Sequence, residues 1–376
     1  MEIRFGLHWS MGLAQAEAVE PELFRLLQYM HERGSLQAAA KDQGVSYRYA
    51  WGLMQKWERA LGQPLARLER GRGATLTPLG QKLLWGQRRI NARLGPELES
   101  LASELAAELR AVLQVDSGPP LRIYASHGLA IPLLRDLLQA ERGIRVDLQF
   151  RGSLDSVRLL RGSKCDLAGF HLPDGALGAR LAPRFRRSLD PNSDVLIHAV
   201  RRRQGIMAAQ DNPKRIESVT DLAKDLLRFV NRQPGSGTRM ILDLLLEEAA
   251  VVPEAIHGYS TEEFTHMAVA AIVASGGADA GFGIEAAARR FGLHFIPVTW
   301  ENYWFALPRD TLSKAAVSEL VSMLRSAEFK SQAGALPGYD AAHAGTIVPV
   351  DSVIAYSDAP VVWAIPPARD DFFHKL

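Results

Sequence analysis

The 376-residue chain carries 44 Lys and Arg against 42 Asp and Glu, for a net charge of +2, and is 47% hydrophobic. At about 150 residues per domain, that length and apolar content predict two or three packed units. A lone cysteine, Cys165, excludes a disulfide framework and a cysteine-based zinc site, and the lack of any run of about 18 uncharged apolar residues excludes a membrane-spanning helix. No basic start leads into an apolar run at the N-terminus, so a cytoplasmic location is expected.

From the N-terminus, Ile3 to Trp9 reads as a short strand, and Pro21 to Arg33 places Leu23, Leu26, Leu27 and Met30 at helical spacing. The stretch LQAAAKDQGVSYRYAWGLMQ, residues 36 to 55, then reads as a helix-turn-helix. Ser35 is a natural N-cap for its first helix, Gly44 a turn residue that tolerates positive φ, and Ser46 a cap for the second helix. Ala40 lets the two helices cross closely, while Val45, Ala50 and Leu53 have the spacing of a buried face. That leaves Ser46, Tyr47, Arg48, Tyr49, Gln55 and Lys56 as candidates to meet a DNA groove and its phosphates. An ordinary helical hairpin is the other reading of this stretch alone.

The segment RLERGRGATLTPLG, Arg67 to Gly80, has β-prone pieces on both sides of Gly71-Arg72-Gly73, the pattern of a hairpin wing that carries Arg70 and Arg72 toward DNA. Between Ser46 and Arg93 ten basic residues oppose Glu58 and Glu69, a net +8 that leaves −6 for the rest of the chain. A phosphate-facing surface accounts for that asymmetry, whereas a solvated basic face does not explain a helix-turn-helix and a wing in the same place. Thr77-Pro78 opens a further helix striped by Leu79, Leu83, Leu84, Ile90 and Leu94. Gly95-Pro96 is a point for a kink or break, after which Leu98, Leu101, Leu105, Leu109 and Val112 continue the stripe. Such a rod packs either on a second subunit, as paired DNA-binding modules require, or on its own C-terminal domain.

Val115 to Pro120 has the composition of a linker. Strand and helix patterns then alternate: LRIYA, a helix through Ile131 to Leu138, IRVDLQF, a helix from Ser153 to Leu160, and CDLAGF. DVLIHAV, LLRFVN, helices from about Thr238 to Ala250 and from Glu262 to Ser275, DAGFG and LHFIPV follow. Alternation of this kind predicts a parallel α/β construction with ligands beyond the carboxyl ends of the strands. The run Arg201-Arg202-Arg203 is expected to be a solvated turn.

The loops after these strands contain Ser126 and His127, then Ser153, then His171. The most distinctive one is Asn231-Arg232-Gln233-Pro234-Gly235-Ser236-Gly237-Thr238-Arg239. Gly235 and Gly237 let backbone N–H groups approach a ligand, Ser236 and Thr238 add hydroxyls, Arg232 and Arg239 add charge, and the helix that follows adds its positive end. An anion site is the direct inference, with a plain helix cap as the other reading. The GxxxxGK[ST] spacing of a phosphate-loop NTPase fails, no GxSxG surrounds Ser126 to make a triad with His127 and Asp166, and no HExxH or HxH pair offers a metal site. No catalytic residue is therefore assigned. His266 shares a helix with Met267, Val269 and Ile272 and is either a satisfied core histidine or a cavity-lining one, and Tyr303 is likewise either core or cavity-facing.

VSYRYAWGLMQKWERALGQPL, the wing RGRGATLTPLG and the β-run before the first helix resemble the winged helix-turn-helix of ModE-type molybdate-responsive regulators. GSLQAAAKDQGVS and the wing also resemble LysR-type regulators, and NRQPGSGTR at 231–239 with HMAVAAIVASGGADAGFG at 266–283 resemble a periplasmic-binding-protein-like domain. The resemblance implies an α/β multidomain protein: a winged helix-turn-helix over residues 1–80, a linker and dimerisation helix over 81–114, a two-lobed effector domain over 121–335, and an extension of unknown role over 336–376. It implies a one-component regulator that binds double-stranded DNA as a homodimer or higher homo-oligomer. ModE-type proteins sense molybdate through small β-barrel repeats that this chain lacks, so the effector is not carried over. The donor-rich loops point to a small anionic effector, molybdate or tungstate first, with no resident cofactor. A LysR-like regulator sensing an organic acid or a molybdenum-cofactor-related metabolite is the alternative. A solute-binding transport component is a further one, for which no export signal or lipidation cysteine is present.

Overall fold

The computed structural model describes residues 3–69, 73–113 and 118–354. The chain divides into two compact units, residues 4–98 and the residues from 99 onward together with the first three.

In the first unit, helices α1 (Pro21–Arg33), α2 (Leu36–Gln43) and α3 (Tyr47–Leu61) form where the spacing of apolar residues predicts them. Their ends are set locally. Ser35 Oγ accepts the Ala38 N–H at 3.3 Å, Ser46 Oγ accepts the Tyr49 N–H at 3.1 Å, and Gly44 turns the chain at φ 72°. One core gathers Leu23, Leu26, Leu27 and Met30 of α1, Ala39 and Ala40 of α2, and Ala50, Leu53 and Trp57 of α3. Trp57 is fully buried, and its indole N–H is satisfied by Glu20 at 2.8 Å. The expected strand from Ile3 to Trp9 does not form. The extended pieces are a two-residue pair instead, β1 (Ser10–Met11) with β2 (Glu17–Ala18), because a strand needs a partner ladder and only these residues find one.

The wing is an antiparallel hairpin of β3 (Ala66–Glu69) and β4 (Gly73–Leu76). Residues 70–72 between these strands lie outside the described residues. Helix α4 (Pro78–Val112) begins at the expected proline, with Thr77 Oγ1 accepting the Gly80 N–H at 3.2 Å. It runs on as one helix with Pro96 inside it, so no break occurs at Gly95-Pro96.

The second unit holds β5 (Leu121–Ala125), α5 (Ala130–Arg142), β6 (Val146–Phe150), α6 (Ser153–Arg161), β7 (Leu167–Pro173) and α7 (Gly175–Leu181). It continues through β8 (Asp194–Ala208), β9 (Phe229–Arg232), α8 (Gly237–Glu248), β10 (Glu262–Glu263), α9 (His266–Ala274), β11 (Ala280–Ile284), α10 (Glu285–Arg290) and β12 (His294–Pro308). Helices α11 (Ala315–Arg325) and α12 (Ala327–Gly334) and short strands β13 (Tyr339–Asp340) and β14 (Ile347–Pro349) complete it. The sheet order is β10-β9-β11-β8-β12-β7-β5-β6, with β13 and β14 also paired to β8.

The sheet is mixed rather than wholly parallel. Strands β5, β6 and β7 pair in parallel, as do β9, β10 and β11, but the long strands β8 and β12 run antiparallel to each other and to their neighbours. Each long strand belongs to both halves of the sheet. Residues 301–306 of β12 pair with β7, whereas residues 204–208 of β8 pair with β11. The halves therefore meet near residues 200–204 and 299–303, where β12 has register shifts between Pro297 and Thr299 and between Tyr303 and Trp304. Helices cover the sheet on both sides over two hydrophobic cores, one containing α5, α9 and α11 and the other α6 and α8. This is the two-lobed α/β architecture expected of the effector domain.

Two further expectations need correction. The helix predicted from Glu262 starts only at His266, because Glu262 and Glu263 extend the ladder beside β9 and Thr265 then caps α9 by accepting the Ala268 N–H at 3.0 Å. Arg201-Arg202-Arg203 is no solvated turn but the middle of β8, where Arg201 is 7% and Arg202 2% exposed. Their charges are met by carboxylates instead of water: Asp174 accepts from Arg201 at 2.9 Å, and Glu301 on β12 accepts from Arg202.

Candidate functional site

A cavity of about 220 Å³ opens where the two halves of the second unit meet. The first half contributes Ser126 and His127 after β5, Phe150 and Arg151 at the end of β6, Gly152 and Ser153 at the start of α6, and His171 in β7. The second contributes Arg232 and Gln233 at the end of β9, Ser236 to Thr238 at the start of α8, and Phe264 and His266 around the start of α9. Arg202, on a strand common to both halves, completes the wall. Strand ends leading into helix starts place backbone N–H groups and positive helix ends around one volume.

At the centre is a buried ion pair. Arg202 Nε donates to Glu301, a residue with no exposed surface, and Arg202 Nη1 donates to the His127 carbonyl at 2.9 Å. Gln204 Nε2 donates to the same Glu301 oxygen at 2.9 Å and to Thr238 Oγ1 at 3.0 Å, so one network joins β8, β12 and the first turn of α8. Arg232, in contrast, hydrogen-bonds to Gln233 Oε1 at 3.2 Å and to the main-chain oxygens of Glu263 at 3.2 Å and Phe264 at 2.9 Å. Its Nη1 is buried without a partner. Burial, and then the neighbouring Arg202, push its pKa down to about 9.

The three histidines at the cavity are held neutral. Burial, reinforced by Arg232 and Arg202, lowers His127 to about 3 and pushes His171 and His266 well below the usual histidine range. Ser126 Oγ lies 2.7 Å from His171 Nδ1, and His171 Nε2 is buried without a hydrogen-bond partner, 4.0 Å from Glu301 Oε1. Arginine can only donate, so the 3.5 Å contact from Arg202 Nη2 makes His266 Nε2 an acceptor and leaves the proton of the neutral ring on Nδ1. The His127 ring stacks on Phe150 at 4.8 Å with 16° between planes.

Of the residues singled out in the sequence, Ser126, His127, Ser153, His171, Arg232, Ser236, Gly237, Thr238 and His266 line this cavity together. The others stand apart from it. Asn231 donates through Nδ2 to the Tyr259 carbonyl, and Gly235 serves the turn before α8 at φ 78°. Arg239 points into a cluster with Asp243 at 2.9 Å, the Arg232 carbonyl at 3.1 Å and the face of Tyr259 at 4.0 Å. Tyr303 is core, 1% exposed, with its hydroxyl on the Ser126 carbonyl at 3.2 Å. No triad of Ser126, His127 and Asp166 assembles, because Asp166 is bound to Arg122 and Lys314. Gln233, within the loop that the sequence singles out, lines the cavity too, while sequence reasoning missed Phe150, Arg151, Arg202 and Phe264, and behind them Gln204 and Glu301. Only the Arg201-Arg202-Arg203 run gave a signal, and partners a hundred positions away concealed it.

On α3, Tyr47 and Tyr49 are 50% and 46% exposed, and Arg48 is exposed beside Ser46. Trp51, not singled out in the sequence, adds a third exposed ring at 41%. Gln55 donates to Glu58 at 2.8 Å, and Lys56 is held by Glu20 at 2.8 Å and Glu17 at 3.4 Å, which raises its pKa. Arg70 and Arg72 lie outside the described residues. Among the described residues no helix is long and apolar enough to cross a membrane.

Residues 135–325 match a family described as "PBP superfamily domain", and residues 21–81 match "Bacterial regulatory helix-turn-helix protein, lysR family". The uncharacterized protein YvgK of Bacillus subtilis is 34% identical over 201 residues, 53% of this chain and 64% of that protein. The molybdenum-pterin-binding protein MopB of Rhodobacter capsulatus is 33% identical over 113 residues, 29% of this chain and 41% of that protein. This chain thus spans less than two thirds of either relative. Among solved structures, a Corynebacterium glutamicum OxyR C206 mutant aligns with a TM-score of 0.40 and 16% identity, covering 81% of this chain and 89% of that one. Of the two regulator types that the N-terminal sequence resembles, the lysR description is the one matched. The chain belongs to the PBP superfamily and carries, ahead of that domain, a helix-turn-helix of the lysR type.

Proposed function

We propose that this protein is a one-component transcriptional regulator that binds double-stranded DNA through its first unit and senses a small anion in the cavity of its second. The observation that carries the sensing half is Arg232. Its guanidinium is buried with Nη1 unpartnered, at a cavity onto which α6, α8 and α9 begin. Glu301 and Glu263 offset its burial and the nearby Arg202 only in part, and a bound anion removes the remaining penalty while accepting from the helix N-termini. For the DNA half, the support is the capped α3 with Arg48 and three exposed rings, in a unit that matches the lysR helix-turn-helix.

The mechanism follows from the shared strands. The cavity walls come from both halves, and the Arg202–Glu301–Gln204 network crosses between them, so an anion bridging the walls favours the closed arrangement by whatever contacts it makes only there. The exposed apolar residues Leu101, Leu109 and Val112 in the last third of α4, and Leu113 just after it, support a second subunit as the element that closure acts on. A cytoplasmic homodimer is the working form of this reading.

Within the anion class, the hydroxyls of Ser126, Ser153 and Thr238 and the helix N–H groups suit a tetrahedral oxyanion such as molybdate or tungstate, which only accepts. The aromatic rings in the same wall suit an organic acid. Calorimetric titration with molybdate, tungstate, sulfate and small organic acids tests the sensing half, and the absence of heat with every one would defeat it. A gel shift with the protein's own upstream DNA tests the other half; failure to exceed non-specific binding at physiological salt would leave a solute-binding component in its place.

A further inference from the structure

We propose that the effector is a small planar organic anion, an aromatic or heteroaromatic carboxylate, held flat between rings from the two halves of the second unit. This rests on the anion-sensing reading above and narrows it.

The cavity wall contains five flat side chains, Phe150, Phe264, His127, His171 and His266, in a space of about 220 Å³. That is below the roughly 300 Å³ at which drug-sized pockets begin, and suits one or two rings. The stacked pair His127–Phe150 belongs to the half built on β5 and β6, whereas Phe264 belongs to the half built on β9 to β11. Phe264 is 50% exposed although it lines a cavity whose other walls are largely buried. A ligand that covers this ring removes apolar surface from water; a tetrahedral oxyanion, which needs only donors, leaves it wet.

Charge and hydrogen bonding agree. Glu301 pairs with Arg202 and Glu104 lies 3.5 Å from Arg151, so among the described cations of the cavity wall Arg232, with its Nη1 unpartnered, is the one left to an incoming carboxylate, with the helix N-termini beside it. The neutral imidazoles add ring faces and polar edges without adding charge. Between them, Gln233, Ser153 and His171 Nε2 offer both donors and acceptors to the edge of a heteroaromatic ring, and the acceptors among them need ring N–H or amino protons that molybdate does not carry.

The test is calorimetry on the full-length protein with pterin-6-carboxylate, benzoate, cyclohexanecarboxylate and molybdate. The two planar acids are expected to bind at least tenfold more tightly than cyclohexanecarboxylate, which has the same charge and a puckered ring. In Phe264→Leu, a substitution at a half-exposed position, that preference is expected to shrink by roughly two- to tenfold. Equal affinity for planar and puckered acids, or an unchanged preference in Phe264→Leu, overturns the proposal. Binding of molybdate with no binding of any acid also overturns it but leaves the anion site standing. No binding of any anion removes both.

Discussion

Replacing Arg232 with Met should abolish anion binding and raise the stability of the ligand-free protein. Two opposed terms set the magnitude. The fall of the Arg232 pKa from the ordinary arginine range to about 9 corresponds to roughly 5 kcal/mol of unfavourable energy in keeping the buried guanidinium charged. Against it stand the bonds of two N–H groups that Met cannot replace, Nε shared between Gln233 Oε1 and the Glu263 carbonyl and Nη2 on the Phe264 carbonyl, at about 1.5 kcal/mol for each charged donor. The balance is about 2 kcal/mol in favour of the variant, or an increase in melting temperature of roughly 4–8 °C for a unit of this size. The sign with pH follows. A base with a depressed folded pKa suffers the penalty throughout neutral pH and sheds it only as pH rises above about 9, so the gap between the two proteins should be full at pH 7 and narrow above pH 9. Thermal unfolding at pH 7, with calorimetry on the same samples, checks both halves. A variant that fails to bind anions and also melts below the parent would refute the reasoning, since Arg232 would then be an anchor of the fold and not a charge awaiting a ligand.

Glu301→Gln keeps the acceptor for Arg202 and Gln204 but leaves Arg202 as an unpaired buried cation. It should lower stability by about 3–5 kcal/mol, or roughly 6–20 °C in melting temperature, and an unchanged melting curve would contradict the pairing. The cavity histidines have folded pKa values depressed below the unfolded 6.5, so the unfolded chain binds more protons as pH falls. Stability should therefore be full above pH 6.5 and decline from there toward pH 4, and denaturant melts that are flat over this window would count against neutral, buried imidazoles. On α3, Arg48→Ala should weaken DNA binding and reduce its dependence on salt, whereas Lys56→Ala, at a side chain already held by Glu20, should change the salt slope less. Equal slopes in the two variants would mean that Lys56 leaves Glu20 for a phosphate. Ser46→Ala should cost about 1 kcal/mol of stability in the first unit through the lost cap, measurable by denaturant unfolding.

The parts of the fold readable in the sequence are those fixed within a few residues. Ser35, Gly44 and Ser46 place both ends of the helix-turn-helix because a cap and a left-handed turn are local events. The loop from Arg232 to Thr238 was legible for the same reason: glycines, hydroxyls and a helix start stand next to one another. What misled was burial imposed by distant partners. Arg202 looked solvated because Glu301, its counter-charge, lies 99 positions away on another strand. Two long strands that serve both halves of the sheet bury both faces, so the three consecutive arginines show no alternation to mark them as a strand. Arg239 drew attention by its place in the motif, yet Asp243 and Tyr259 hold it away from the cavity. Phe264 gave no sequence signal, since only the position of α9 beside β9 brings it to the cavity.

The central claim is that anion binding in the second unit governs DNA binding by the first. Its most direct test is the affinity of the full-length protein for a duplex selected from a random pool, measured by fluorescence anisotropy at physiological salt with and without a saturating anion identified by calorimetry. The account predicts selective binding whose affinity changes at least fivefold on adding the anion, and no such change in Arg232→Met. An affinity that is indifferent to the anion in the parent protein, or the same shift in Arg232→Met, would contradict it.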